Sequence, residues 1–155
     1  AALKAMKASG SYLVPTLMAL SGVRDRLGKN IYTPVVEAKA RQALGEWGKV
    51  LAAGRRAGIK IAYGTDAGVF EHGRNGEEAA LMVRLGGMTP REVMISATTG
   101  AAELLGIAGE TGTLDPGKSA DLIAVEGDPL VDPSAVTHVA YVMVMGHAIP
   151  LPEAP

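Results

Sequence analysis

Asp66 follows the apolar run Ile59-Lys60-Ile61-Ala62-Tyr63-Gly64 by two residues, and a dense set of polar groups comes after it: His72, Arg74, Asn75, Glu77 and Glu78. A carboxylate just beyond the end of a strand can bind a metal or take a proton from a water. Gly68 leaves room for other groups to approach. Each residue also has a plainer reading. Asp66 is equally at home in an Asx-type turn or helix cap. His72 reads as an exposed loop histidine, Arg74 as solvated surface, and Asn75 as a helix cap that is also able to touch substrate. Glu77 and Glu78 suit the N-terminus of a helix, where negative charge is favoured. His138 and His147 lie far along the chain and read as structural or exposed.

The elements that must position this cluster follow from periodicity and punctuation. Residues 1–10 read as the end of a helix closed by Gly10. SYLVPTL reads as a short buried strand ending at Pro15-Thr16, and residues 21–33 as polar and irregular. Pro34 to about Gly58 reads as one helix, with Val35, Val36, Leu44, Trp47, Val50 and Leu51 at helical spacing. IKIAYG is the next strand. Asn75 with Glu78 resembles a capping box that opens a helix to about Leu85. Thr89, Pro90 and Glu92 give the same signal more fully, and TGAAELLG adds a short helix ending at Gly106. After that the texture becomes strand and turn. Strand–helix–strand–helices implies a parallel sheet with helices outside, followed by a separate small sheet. In such folds the chemistry sits beyond the carboxyl ends of the strands, where Asp66 stands.

Composition narrows the function classes. The 155 residues are 48% hydrophobic and 20% charged, enough for a core. One Phe and one Trp leave that core to Ala, Val, Leu, Ile and Met. A net charge of −1 without a basic stripe gives no nucleic-acid footprint. No cysteine is present, so thiolate metal sites, disulfides and cysteine nucleophiles are excluded. No apolar run reaches the roughly 20 residues of a membrane span. Gly112–Ser119, GTLDPGKS, formally satisfies the phosphate-loop pattern. That pattern needs a helix behind it and free backbone N–H groups, whereas a strand-like ADLIAVEG follows, Pro116 removes an N–H and Asp115 adds negative charge. A hairpin turn is the better reading, with a nucleotide binder as the remote alternative.

The ordered set GTDAG, HGxNxxE, GMTPxE, LLG, PGKxADL and GDPL resembles the C-terminal part of the amidohydrolase superfamily, on the imidazolonepropionase-like and Xaa-Pro dipeptidase branch. YLVPTL is similar to that branch's seventh barrel strand. The resemblance implies an α/β fold: about strands 7 and 8 of a metal-dependent (β/α)₈ TIM barrel with their helices in residues 1–108, then strands of a composite β-sandwich in residues 109–155. It implies that Asp66 contacts the metal centre, takes a proton from the attacking water and returns it to the leaving nitrogen. It also implies that His72 and Asn75, with Arg74 beside them, line the substrate pocket, and that Lys118 is structural.

The family's other ligands are a His-x-His on strand one, a carboxylated lysine on strand four and histidines on strands five and six. None is in this sequence, and a whole barrel takes roughly 250 residues. The expectation is a C-terminal portion of an enzyme that uses one or two divalent ions, zinc first, with most ligands outside this chain. It would cleave amide-type C–N bonds, with Xaa-Pro dipeptides as the first substrate class and cyclic amides second. The chain alone should be inactive, since a catalytic metal usually has three protein ligands. The missing N-terminal barrel segment is then a required partner, and the whole enzyme is open to homo-oligomerisation. The rival reading is a short non-catalytic partner or assembly module on the same fold. Cytoplasmic location is the first expectation; secretion or a periplasmic home stays open.

Overall fold

In the computed structural model, which describes residues 1–152, the first apolar run pairs as a strand over Tyr12–Leu13 only (β1). It lies parallel to Lys60–Ile61 (β2), with Tyr12 opposite Lys60 and Leu13 opposite Ile61. Ala62 extends the pairing by donating its N–H to Leu13 O at 3.1 Å. Parallel neighbours require a crossover. Here it consists of three helices: Leu17–Arg24 (α2), Pro34–Gly45 (α3) and Lys49–Ala57 (α4). Ahead of β1 stands Ala2–Ser9 (α1), stopped by Gly10 at φ 69° as its sequence indicates.

Two expectations are corrected here. Residues 21–33 are not irregular throughout, because α2 runs to Arg24. Its Ser21 and Gly22 face inward, where small side chains let the helix lie against Val69 and Phe70. The single helix from Pro34 to Gly58 is two helices. Glu46 leaves the helical region and Gly48 is left-handed at φ 77°, which turns the chain so that Trp47 can donate its indole N–H to Leu17 O (3.2 Å). The break also rotates the apolar stripe. Leu51 is buried, whereas Val35, Val36 and Val50 are exposed.

After β2 and a long loop come Glu77–Gly86 (α5), Pro90–Ala97 (α6) and Thr99–Leu105 (α7). The start of α6 is a full capping box. Thr89 Oγ1 accepts from Glu92 N–H, and Glu92 Oε2 accepts from Thr89 N–H at 2.7 Å. The core is one cluster built from Leu17 and Met18 of α2, Leu51 of α4, Phe70, Ala79, Leu81 and Met82 of α5, Met88, and Val93 of α6. Burying each Leu, Met, Phe or Val of this cluster stabilises by about 1.5–3 kcal/mol relative to exposure.

Beyond α7 the chain forms a three-stranded antiparallel sheet, Leu122–Val125 (β3), Val139–Val144 (β4) and His147–Ile149 (β5), in the order β3-β4-β5. A short 3₁₀ helix, Pro133–Thr137, links β3 to β4 and packs on α5. Gly112–Ser119 is a turn that leads to β3, with Lys118 donating to Ala108 O (2.8 Å), so no helix stands behind the phosphate-like motif. Residues 153–155, the end of the expected 109–155 segment, lie outside the described residues. Among the described residues, no helix is long and apolar enough to cross a membrane.

Candidate functional site

The loop from Ala62 to Gly76 connects β2 to α5 and carries every candidate residue. Tyr63 continues the strand direction, its N–H donating to Ser96 O at 2.9 Å. Thr65 is buried. Asp66 then adopts φ 54°, a left-handed conformation uncommon for a non-glycine residue, and its side chain is exposed. Such backbone is sustained only where its surroundings hold it, and it clusters at functional sites.

What holds this loop is a short chain of hydrogen bonds. Asn75 Nδ2 donates to Thr65 Oγ1 (3.0 Å), and the Tyr63 hydroxyl donates to Asn75 O (2.6 Å). The two ends of the loop are thus tied together beside Asp66. Asn75 does not cap the following helix. The N-cap of α5 is Gly76, without a side-chain cap bond, so the Asn75–Glu78 capping box read from the sequence is overturned. Both side chains are engaged elsewhere. Asn75 reaches back to Thr65, and Glu78 turns inward to the backbone of α2.

Glu78 has no exposed surface. Leu17 N–H donates to its Oε1 at 2.8 Å and Met18 N–H to its Oε2 at 2.7 Å. These are the first two donors of α2, groups that no partner within that helix can satisfy. Burial pushes the Glu78 carboxyl up to about 7 from its ordinary 4.5, against the opposing pull of the two donors. The neighbouring Tyr63 phenol is raised as well, by burial first and the Glu78 charge second. Sequence reasoning placed Glu78 in the first turn of a helix but gave no sign of its partners, which lie about sixty residues earlier in the chain.

Arg74 pairs with Glu77, its Nε 2.6 Å from Oε1 and its Nη2 2.8 Å from Oε2. That hydrogen-bonded pairing is the leading cause holding the Glu77 carboxyl below its ordinary range. His72 is exposed on the same loop, whereas His138 and His147 are exposed in the tail. Two surface hollows, of about 400 and 360 Å³, lie elsewhere. One runs along β2 between Arg55 and Ser96, and the other lies between α2, α5 and Ser134. Among the described residues, no three His, Asp or Glu side chains come together to hold a metal ion. Asp66 can offer one carboxylate, which by itself does not fit a divalent ion.

A profile of the amidohydrolase family matches residues 2–149. An uncharacterized protein of Mycobacterium tuberculosis is 36% identical over 141 residues, which covers 88% of this chain and 36% of that protein. An ochratoxinase of Aspergillus niger is 43% identical over 91 residues, 54% of this chain and 18% of the relative. Among solved structures, a Xaa-Pro dipeptidase with methionine bound in its active site superposes with a TM-score of 0.88 at 35% identity, over 96% of this chain and 36% of that one. The chain spans only 36% of the length of those mycobacterial and dipeptidase relatives.

Proposed function

The chain belongs to the amidohydrolase family, and from that premise we propose that it is the C-terminal portion of a metal-dependent hydrolase of amide-type C–N bonds, a dipeptidase of Xaa-Pro type. Residues 1–108 would supply about strands 7 and 8 of a (β/α)₈ barrel, and residues 109–155 part of a composite β-sandwich. The observation that carries the reading is Asp66. It stands exposed past the carboxyl end of β2, in left-handed backbone beside the Thr65–Asn75 tie. Its carboxylate is the proton carrier, accepting a proton as water attacks the carbonyl carbon and delivering it to the nitrogen as the C–N bond breaks. His72 and Asn75 line the substrate side of the loop, with Arg74 at its rim. One or two divalent ions, zinc first, supply Lewis acidity when bound and take their remaining ligands from sequence outside this chain. The chain by itself is then inactive.

The test is hydrolysis of a panel of Xaa-Pro dipeptides, other dipeptides and cyclic amides by the full-length, zinc-loaded protein and its Asp66→Asn variant. Turnover of Xaa-Pro substrates that falls by about 10²–10⁴-fold in the variant, with unchanged thermal stability, is the expected result. Unchanged turnover in Asp66→Asn removes the role of Asp66. No hydrolysis across the panel removes the enzyme reading in favour of an assembly module.

A further inference from the structure

We propose that Glu78 is a positioning residue: its carboxylate clasps the backbone that follows β1 and so fixes the Asp66 loop that follows β2. As a role in catalysis this rests on the function proposed above; as a device of the fold it stands on the geometry alone.

The backbone leaves both strands in the same unusual way. Thr16 after β1 is left-handed at φ 46°, and Asp66 after β2 is left-handed at φ 54°. The turn at Thr16 starts α2 without a side-chain cap, leaving the N–H groups of Leu17 and Met18 exposed to an acceptor. An acceptor from outside the helix fills that position, one carboxylate oxygen to each N–H. Glu78 is in the first turn of α5, three residues after Asn75. Asn75 in turn grips Thr65, the neighbour of Asp66. A continuous series of contacts therefore runs from the start of α2 through Glu78, α5, Asn75 and Thr65 to Asp66.

The choice of a buried carboxylate is informative. Here each of the two N–H donors has its own acceptor oxygen on one planar group. Aspartate is shorter by one methylene, and glutamine has the size but carries a donor where one oxygen should be. A buried charge is an expensive way merely to fill space. Tyr63, just after β2, lies within electrostatic reach of Glu78, and its hydroxyl donates to Asn75 O.

The experiment uses the full-length, metal-loaded protein at about pH 8.5, where the wild-type Glu78 is ionised, with Glu78→Gln and, as a second variant, Glu78→Asp. Activity gives kcat and KM on the best substrate of the panel, and amide hydrogen exchange with mass spectrometry follows peptides that cover residues 14–20 and 62–78. The expected result is kcat lower by about 10–100-fold with metal content retained and KM within about 3-fold. Exchange should be faster in both segments and unchanged in α6 and the tail sheet. Wild-type kcat in both variants, or accelerated exchange confined to residues 14–20, overturns the proposal. If the wild-type protein hydrolyses nothing on the panel, the enzyme reading fails by itself. The clasp is then judged on exchange: acceleration in both segments supports it, and no acceleration in residues 62–78 overturns it. If Glu78→Gln does not fold, Glu78→Asp decides by the same readouts.

Discussion

The helical half and the antiparallel tail have similar shares of apolar residues but bury their side chains differently. Between α2 and α6 one set of apolar residues converges on a single cluster, where Met18, Leu51, Met82 and Val93 lose essentially all contact with solvent, although Val35, Val36, Val50 and Ile95 stay outside it. In the tail, by contrast, Ile123, Leu130, Val131, Tyr141, Val144, Met145 and Ile149 are all exposed, and among the described residues only Ala135 of the 3₁₀ helix is buried. β3 and β4 carry exposed residues next to half-buried ones, and β5 is exposed at every position. A sheet stabilises a protein when one face packs on something. The helical half supplies its own covering layer and the tail sheet does not. A strand-rich segment of this kind suits a sheet completed by other strands, which is what a composite sandwich would provide.

The contrast can be broken most directly by truncation in the core. Met82→Ala removes a fully buried side chain and should cost about 2–5 kcal/mol. Met145→Ala in the tail, 74% exposed, should change stability by less than about 0.5 kcal/mol. Denaturant titrations of both variants of the full-length protein check this. A large cost at Met145 would mean that the tail face is covered in the assembled protein.

Glu78 sharpens the contrast through pH, because it is a charge inside the apolar half. Its carboxyl is near 7 when folded and near 4.5 when unfolded, so the folded state holds its proton more tightly. Its contribution to stability is therefore greatest below about 4.5 and is lost as pH rises towards and through 7. The slope is about 1.4 kcal/mol per pH unit and the total about 3 kcal/mol. Unfolding free energies at pH 5, 6 and 7 should show this component in the wild type and lose it in Glu78→Gln. A helix cap on the surface gives a smaller loss than Met82 or Glu78. Thr89→Ala removes one arm of the α6 capping box and should lower stability by about 1 kcal/mol, read as a shift of the denaturation midpoint.

The two capping-box patterns show what was legible in the sequence. Thr89-Pro90-Arg91-Glu92 closes as read, because its partners are three residues apart and the Arg55 guanidinium that also binds Glu92 leaves Oε2 within reach of the Thr89 N–H. Asn75 and Glu78 have the same spacing but are claimed by Thr65 and by the start of α2. Local spacing states which bonds are available, and tertiary neighbours decide which are made. The same limit hid α2, whose Gly22 looks like a loop residue until Phe70 lies against it. It also hid the turn at Gly48. The presence and order of the two parallel strands, α6 and α7 were legible because their punctuation is local, whereas the strands are shorter than SYLVPTL and IKIAYG suggest: only Tyr12–Leu13, half-buried rather than buried, and Lys60–Ile61 pair. How the Asp66 loop is held was not legible, because each of its ties joins residues ten or more positions apart.

The 3₁₀ helix reaches back to the Asp66 loop at Gly76, where a Cβ would come within 3.1 Å of Val136 O and Thr137 Cγ2. On the ribosome, this contact cannot exist until Thr137 has been made. At roughly 5–20 residues per second, the segment from Gly76 to Thr137 takes on the order of several seconds to synthesise. Through that interval the start of α5 lacks this neighbour, so the loop that carries Asp66 is completed only after the segment up to Thr137 has emerged.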